Sequence, residues 1–165
     1  MNQIIFVAVA VVGLALAAPK LMNAYQGNNA ENTNSVSTKS KGPQTAVGYR
    51  NAGGQFDFNS SMNGLHVQVL VDTGASSVTI NRSTARRIGI KLSDSDFHNF
   101  AETANGRTSY AKAVIKEIRI NGIVVRNVRT AVLKDTSLNT ALLGMTFLNK
   151  LKKFEFKGNQ LKLIQ

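Results

Sequence analysis

The sequence predicts an all-β domain with one or two short helices, preceded by an N-terminal hydrophobic helix. Three observations support this fold class. Short runs of alternating apolar residues recur from about residue 55 to the C-terminus, Asn and Gly pairs separate several of them, and only two segments are typical of short helices. Many short strands joined by tight turns are typical of a closed or sandwiched β domain.

The first predicted strands lead directly to an aspartate. The segment QFDFN alternates apolar and polar residues, and Asn63-Gly64 signals a type I′ hairpin. Leu65, Val67, Val69 and Val71 then share one face of the next strand, which ends at Asp72. After a short turn, SSVTIN predicts a further strand.

The rest of the chain continues the pattern of strands and turns. RSTARRIGI predicts a short helix that ends at Gly89. ETANGRTSYA and IRINGIVVRNV each place an Asn-Gly turn between strand-like runs. RTAVL and ALL predict strands, MTFLNKL a second short helix, and KFEF with LKLI a hairpin around Gly158-Asn159.

The composition fits one globular domain without a metal centre. The chain has 165 residues, of which 43% are hydrophobic and 18% are charged, as in folded rather than disordered proteins. It contains no cysteine, which excludes disulfides, thiolate zinc sites and cysteine nucleophiles. His66 and His98 lie far apart with no other ligand residues clustered around them, so we expect no metal site.

Residues 1–22 are predicted to be a transmembrane anchor or a signal segment. Residues 4–18, IIFVAVAVVGLALAA, are apolar or small and carry no charge. A helix of this length spans about 22 Å, so crossing a ~30 Å bilayer core would also require Leu21 and Met22. Ala15-Leu16-Ala17 resembles a signal-peptide cleavage site, but no basic residue precedes the apolar run. An uncleaved anchor is the favoured interpretation, and a buried core helix is the third alternative.

Residues 23–48 are predicted to form a flexible polar linker, and residues 49–165 the folded domain. The linker is rich in Asn, Ser, Thr, Gly and Gln and almost free of large apolar side chains. Such a segment cannot bury enough surface to offset the entropy that it would lose on ordering.

The stretch VQVLVDTGASSVTIN, residues 67–81, places Asp72 at the end of a predicted buried strand. A carboxylate in that position is costly unless something uses or neutralises it. Gly74 permits a sharp bend that turns backbone N–H groups toward the carboxylate. Hydrolysis of an amide by carboxylates requires two of them, one acting as base on a water while the other, protonated, acts as acid on the carbonyl oxygen.

The chain contains no second aspartate in the same context. Of the other aspartates, Asp57, Asp94, Asp96 and Asp135, none is followed by Thr-Gly or Ser-Gly. Two copies related by a twofold axis would set Asp72 of one subunit against Asp72 of the other. If the protein is an enzyme of this type, the sequence therefore predicts a homodimer.

From about residue 54 to 164 the chain resembles the retropepsin-like aspartic proteases, in particular the bacterial membrane-anchored single-domain type. VLVDTGASSVTI resembles the catalytic loop with its flanking strands, and TANGRTSYA resembles the flap hairpin. ALLGMTFLNKLKKFEF resembles the apolar-apolar-Gly strand with its following helix. The order and spacing of these three elements along the chain also resemble those of the family. The resemblance implies a retropepsin-like acid-protease half-barrel.

The resemblance implies that Asp72 is the catalytic aspartate and that Thr73, Gly74 and Ala75 support the active-site loop. The Thr73 hydroxyl would help to lock the two loops together across the dimer axis, and Gly74 would offer its backbone to the substrate. Ser76-Ser77 is a departure, because viral members commonly carry a second acid after this motif. Contacts with the substrate in that region are therefore expected to differ.

The resemblance also implies roles for two segments outside this loop. Asn105 and Gly106 would form the tip of a mobile flap that closes over the substrate and excludes water. Leu142, Leu143 and Gly144 would form the strand beneath the catalytic loop, in a structural role.

The function implied is a bacterial aspartic endopeptidase that cleaves polypeptides with a water activated between two Asp72 carboxylates, without a cofactor. Activity is expected to favour mildly acidic pH, since the carboxylate pair must hold one proton. The catalytic domain is expected in the periplasm, held by a single-pass anchor in the inner membrane. The alternatives are a catalytically inactive dimeric binding module of the same fold and a plain Asx-turn at Asp72.

A nucleic-acid-binding function is not expected. Lys and Arg number 20 against 9 Asp and Glu, an excess that can indicate nucleic-acid binding. The basic residues are scattered, however, and the chain has no tryptophan and few aromatic residues among them. A solvated basic surface, or attraction to anionic lipids beside the anchor, explains the charge more simply.

Overall fold

The computed structural model describes residues 42–103, 106–134 and 138–165, with only the backbone of Thr103. These residues belong to one compact unit, Lys41–Gln165. The predicted N-terminal segment 1–22 and the predicted linker as far as residue 41 lie outside the described residues. Among the described residues, no helix is long and apolar enough to cross a membrane.

The described chain is built from strands and two short α-helices, as the sequence predicts, but the runs RTSYA and IRI lie in one strand of 15 residues, and IVVRNV and RTAVL in one of 11. The helices are α1 (Arg82–Arg87) and α2 (Met145–Leu148), and a single 3-10 turn covers Asp94–Asp96. The strands are β1 (Thr45–Tyr49), β2 (Asp57–Met62), β3 (Leu65–Val71), β4 (Val78–Asn81), β5 (Asn99–Thr103), β6 (Gly106–Ile120), β7 (Ile123–Leu133), β8 (Ala141–Leu143), β9 (Lys153–Lys157) and β10 (Gln160–Ile164).

Seven strands form a sheet that closes into a barrel. Their order is β2-β3-β8-β4-β7-β6-β5, and pairing between β2 and β6 joins the sheet to itself. That closing contact sets Ser61 opposite Arg119 and Met62 opposite Ile118. Strand β8 pairs in parallel with β3 and antiparallel with β4, so it lies between the two strands that precede and follow Asp72. Closure removes most of the exposed strand edges that would otherwise be open to other chains.

The alternating apolar residues of the strands fill the barrel interior. Among the fully buried side chains are Met62, Ile80, Ile115, Leu143 and Phe147. The two buried polar residues in the described part of the chain are both hydrogen-bonded. Ser60 Oγ donates to the Val67 carbonyl at 2.6 Å, and Thr130 Oγ1 donates to the Val128 carbonyl at 3.0 Å. The barrel therefore satisfies the rule that buried polar groups must find partners.

Turn residues lie where the sequence predicts them. Asn63 and Gly64 have φ of +50° and +88°, as a type I′ turn between β2 and β3 requires. Asn121, between β6 and β7, has φ of +51°. Asn81 caps α1 by accepting a hydrogen bond from the Thr84 N–H at 2.9 Å, and Gly89 follows the helix with φ of +83°.

A second sheet contains a strand that lies mostly within the predicted linker. β1 pairs with β10, which pairs with β9, in a three-stranded antiparallel sheet. β1 begins at Thr45, four residues before the predicted start of the folded domain at residue 49. Gly48 packs so closely on the Phe58 ring that an added Cβ would lie 2.6 Å from a ring atom. Residues 45–48 are thus part of the folded unit, held by strand pairing and by contact with the barrel.

Candidate active site

Asp72 lies in a tight turn between β3 and β4. Its Oδ1 atom accepts hydrogen bonds from the backbone N–H groups of Gly74, at 2.8 Å, and Ala75, at 3.3 Å. These contacts fix the carboxylate within its own loop, as the sequence predicts for a bend at Gly74. The other oxygen, Oδ2, accepts no hydrogen bond from the described residues. It is therefore the oxygen that a water or a second carboxylate can approach.

Strand β8 lies directly beneath this loop. The Asp72 N–H donates to the Leu143 carbonyl at 3.3 Å, and the Met145 N–H donates to the Ala75 carbonyl at 2.9 Å. Leu143 itself is fully buried. Gly144 follows, and a Cβ there would lie 2.6 Å from the Ala75 carbonyl oxygen and closer still to that of Ser77. Both neighbours are backbone atoms, so only glycine lets β8 approach the loop this closely.

A single hydroxyl group connects the end of the loop to two other elements. Thr146 Oγ1, in α2, accepts a hydrogen bond from the Val78 N–H at 2.8 Å. The same oxygen donates to the Arg129 carbonyl of β7 at 2.7 Å. Thr146 therefore holds the start of β4 against β7. The sequence patterns predict no role for it, because a threonine inside a short helix carries no local signal for such a contact.

The Asp72 carboxylate faces a cavity of about 500 Å³. The turn residues Gly74, Ala75, Ser76 and Ser77 form one side of it, and Leu142 contributes an apolar side chain. The opposite side includes Ala101, Glu102 and Tyr110, which belong to the β5–β6 hairpin. The two segments predicted to be catalytic loop and flap thus line one cavity. Leu142, predicted to be purely structural, also lines it.

The hairpin over the cavity is formed by regular antiparallel pairing from Asn99 opposite Tyr110 to Thr103 opposite Gly106. Gly106 has φ of +95°, which strongly favours glycine. Asn105, the other residue predicted for the tip, lies outside the described residues. On the arms of the hairpin, the Arg107 guanidinium lies 4.4 Å from the centre of the exposed Phe100 ring.

Thr73 and Gly74 are exposed at the surface of the turn. The Thr73 hydroxyl makes no hydrogen bond with the described residues of its own chain.

The described residues also contain no group of three or more His, Asp or Glu side chains placed to hold a metal ion. No sequence motif singles out Glu102 and Tyr110, and the pairing of β5 with β6 places both on the hairpin that lines the cavity.

Comparisons with known proteins agree on one family. A family model described as "gag-polyprotein putative aspartyl protease" matches residues 58–150. The crystal structure of a retropepsin-like aspartic protease from Rickettsia conorii superposes with a TM-score of 0.65 and 29% sequence identity, covering 74% of this chain and 91% of that one.

Two further relatives are known by sequence. The "Uncharacterized protein in cobV 5'region" of Sinorhizobium sp is 33% identical over 128 residues, which are 78% of this chain and 55% of the relative. The "Uncharacterized protein RP867" of Rickettsia prowazekii (strain Madrid E) is 29% identical over 114 residues, which are 69% of this chain and 48% of the relative. The chain spans about half the length of these two relatives.

Proposed function

The chain belongs to the gag-polyprotein aspartyl protease family, and we propose that it is a homodimeric aspartic endopeptidase with Asp72 as its catalytic residue. The retropepsin-like fold predicted from the sequence is confirmed by the match to the Rickettsia conorii protease. The observation that carries the proposal is the position of Asp72, whose carboxylate is held by two backbone N–H groups at one side of a cavity that a β-hairpin bounds on the other.

The proposed reaction needs two Asp72 carboxylates and one water. The ionised carboxylate takes a proton from the water, whose oxygen attacks the peptide carbonyl carbon, while the protonated carboxylate gives its proton to the carbonyl oxygen. In the tetrahedral intermediate, one hydroxyl group then gives its proton to the ionised carboxylate while the C–N bond breaks, and the nitrogen receives the proton that the other carboxylate took from the water, so the pair again holds one proton. Because the pair must hold one proton, cleavage is expected to be fastest at mildly acidic pH and to fall once both carboxylates ionise.

A second copy of the chain is the favoured source of the second carboxylate. The exposed turn at Thr73 and Gly74 can meet its own symmetry mate across a twofold axis, which would also give the Thr73 hydroxyl a partner. Glu102 is the other acidic residue among the described residues that line the cavity. It lies on the hairpin, opposite Arg107 in the strand register, and not in a turn whose backbone N–H groups hold its carboxylate as they hold that of Asp72. We therefore assign the acid-base pair to two Asp72 side chains.

The test is a peptide-cleavage assay that compares the wild-type chain with Asp72→Asn. The substitution keeps the size of the side chain but removes the ionisable group, and we expect cleavage to fall by about a thousandfold or more. The purified full-length chain should be assayed in detergent over a range of concentrations, since a dimeric enzyme gains specific activity as it assembles.

The matched variant is Glu102→Gln, which removes the other carboxylate of the cavity. Cleavage that persists in Glu102→Gln and is lost in Asp72→Asn supports the proposed pair. Loss in both, with a specific activity independent of concentration, would assign the second acid to Glu102 of the same chain. Equal cleavage by wild type and Asp72→Asn, or none by either at concentrations where a dimer is observed, would reject the protease and favour a binding module of this fold.

We also propose that residues 1–22 anchor the protein in the inner membrane with the catalytic domain in the periplasm. The support is the uncharged apolar run of residues 4–18. Alkaline extraction of membranes separates an anchored chain from a cleaved one, because only the anchored chain stays in the pellet. Protease added to intact spheroplasts should degrade the catalytic domain if it is periplasmic and leave it intact if it is cytoplasmic.

A further inference from the structure

Two further cavities continue from the Asp72 cavity along the outside of β6 and β7. The second, of about 460 Å³, shares Ser76, Ser77, Tyr110 and Ala131 with the Asp72 cavity. The third, of about 380 Å³, shares Ser76, Arg129 and Thr146 with the second. Shared walls mean that the three spaces adjoin. We call the part beyond the Asp72 cavity the outer groove and define it by Ser76, Lys112, Val114, Arg129 and Lys150.

The register of β6 and β7 explains how the outer groove is lined. Val114 pairs with Arg129, and Lys112 pairs with Ala131, so these four side chains lie on the same face of the strand pair. Tyr110, which also lines the Asp72 cavity, is two residues before Lys112 on that face. Val114 is 50% exposed. In the outer groove, the apolar side chain of Val114 therefore lies beside two cations, Lys112 on the same strand and Arg129 on the paired strand.

The charge of the cleft changes sign between its two parts. Among the described residues, the charged ones that line the Asp72 cavity are both acidic, Asp72 and Glu102. The charged ones of the described lining of the outer groove are all basic, Lys112, Arg129 and Lys150. All three are exposed, and none forms an ion pair with a described carboxylate. Ser76 and Ser77, which link the two parts, add no charge.

Resting on the proposed function, we propose that the outer groove binds an acidic side chain of the substrate. The preferred substrate is then a polypeptide with Asp or Glu about three to five residues from the cleaved bond. An extended peptide and a strand both advance ~3.3 Å per residue. A peptide that runs along β6 and contacts Tyr110 therefore places its residues two and four positions further on beside Lys112 and Val114. A twofold dimer presents the groove twice, which places the acid on either side of the bond.

The test compares peptides that differ only by Glu or Gln at each position three to five residues from the cleaved bond. With the full-length wild-type chain in detergent, we expect kcat/KM to be roughly three- to tenfold higher for the best Glu peptide than for its Gln partner, as for a few exposed charges acting together. The preference should shrink as salt is raised from about 0.05 M to 0.5 M, because exposed charges are screened.

Substitutions test which side chains cause the preference for the Glu peptide. Lys112→Gln and Arg129→Gln should each reduce the Glu preference, and the triple variant that also carries Lys150→Gln should abolish it. Arg129→Glu, which leaves Lys112 and Lys150 in the groove, should reduce the Glu preference more than Arg129→Gln does. The matched control is Lys116→Gln, which removes the same charge from an exposed position of β6 outside the groove lining and should keep the preference.

The outcomes separate this inference from the proposed function. If wild type cleaves Glu and Gln peptides equally, or if Lys116→Gln removes the preference as fully as Lys112→Gln, the inference is overturned and the protease stands. If no peptide is cleaved, the proposed function fails. The inference about the outer groove is then tested by measuring peptide binding instead of cleavage. Fluorescence anisotropy with labelled peptides and the Asp72→Asn chain then supports the groove if the Glu peptide binds at least threefold more tightly, and overturns it if the two bind equally.

Discussion

Thr146 shows how the geometry of the Asp72 turn depends on one hydroxyl group. It joins the N–H of Val78, at the exit of the Asp72 turn, to the carbonyl of Arg129. Because Ala75 is also tied to Met145 in the same helix, α2 fixes the turn at two points. Errors of about 1 Å in such a loop are enough to reduce catalysis strongly.

We predict that Thr146→Val destabilises the fold and lowers activity together. Valine has nearly the same shape but leaves the Val78 N–H and the Arg129 carbonyl without this partner, at a cost of about 1–3 kcal/mol in the free energy of unfolding. Cleavage should fall by roughly tenfold, as the carboxylate moves from its place. Urea unfolding and kcat/KM measure the two effects.

Thr146→Ser is the control for this prediction. Serine retains the hydroxyl and should restore most of the stability and activity that valine loses. Similar losses in the serine and valine variants would show that the methyl group, rather than the hydroxyl, is what the turn requires.

At the scale of the element, the β5–β6 hairpin combines a regular ladder with a glycine at its end. Thr103 opposite Gly106 is the last pair of this ladder. Gly106 has φ of +95°, and a Cβ added to it would meet no heavy atom within 4 Å, so its requirement for glycine comes from the backbone rather than from packing. Gly64, in the β2–β3 hairpin, has φ of +88° and the same open surroundings. Gly64 is therefore a suitable control for substitutions at Gly106.

We predict that Gly106→Ala and Gly64→Ala have similar effects on stability but different effects on activity. Each forces an alanine into a positive φ, at a cost of about 1–2 kcal/mol. Only Gly106 lies in a hairpin that borders the Asp72 cavity, so only its substitution should lower kcat/KM, by roughly fivefold or more. Thermal unfolding and peptide cleavage compare them. Equal activity of the two variants would remove the flap role assigned to this hairpin.

Strand β1 shows where a local signal misleads. Its residues, TAVGY, follow a long polar tract and contain a glycine, so the sequence pattern places most of them in the linker. The strand forms because β10 offers a partner from the far end of the chain and because Gly48 fits against the Phe58 ring. Both reasons involve residues distant in sequence, which local periodicity cannot detect.

For the whole molecule, the central prediction is that two chains share one active site. Wild-type and Asp72→Asn chains, co-expressed in equal amounts and assembled at random, should give about one quarter of dimers with two intact aspartates. Activity per total chain should therefore fall to about one quarter of the wild-type value. Independent active sites in single chains would instead give one half, and this outcome would contradict the shared site. Differently tagged chains allow the mixed dimer to be isolated and assayed directly.

The sequence by itself determined the fold class, most strand positions and the location of the candidate site. Alternation, Asn-Gly turns and the DTGAS stretch are local, so they can be recognised along the chain without knowing what packs against what. The same is true of Gly89 after α1 and of Asn63-Gly64 between β2 and β3.

Only the tertiary structure decided which distant side chains meet. It placed β8 between β3 and β4, set Glu102 and Tyr110 across the cavity from Asp72, tied Thr146 to Arg129, and joined the outer groove to the candidate active site. Barrel closure fixes these contacts through hydrogen-bond register between strands far apart in sequence, and register depends on the packing of the whole core rather than on any local pattern.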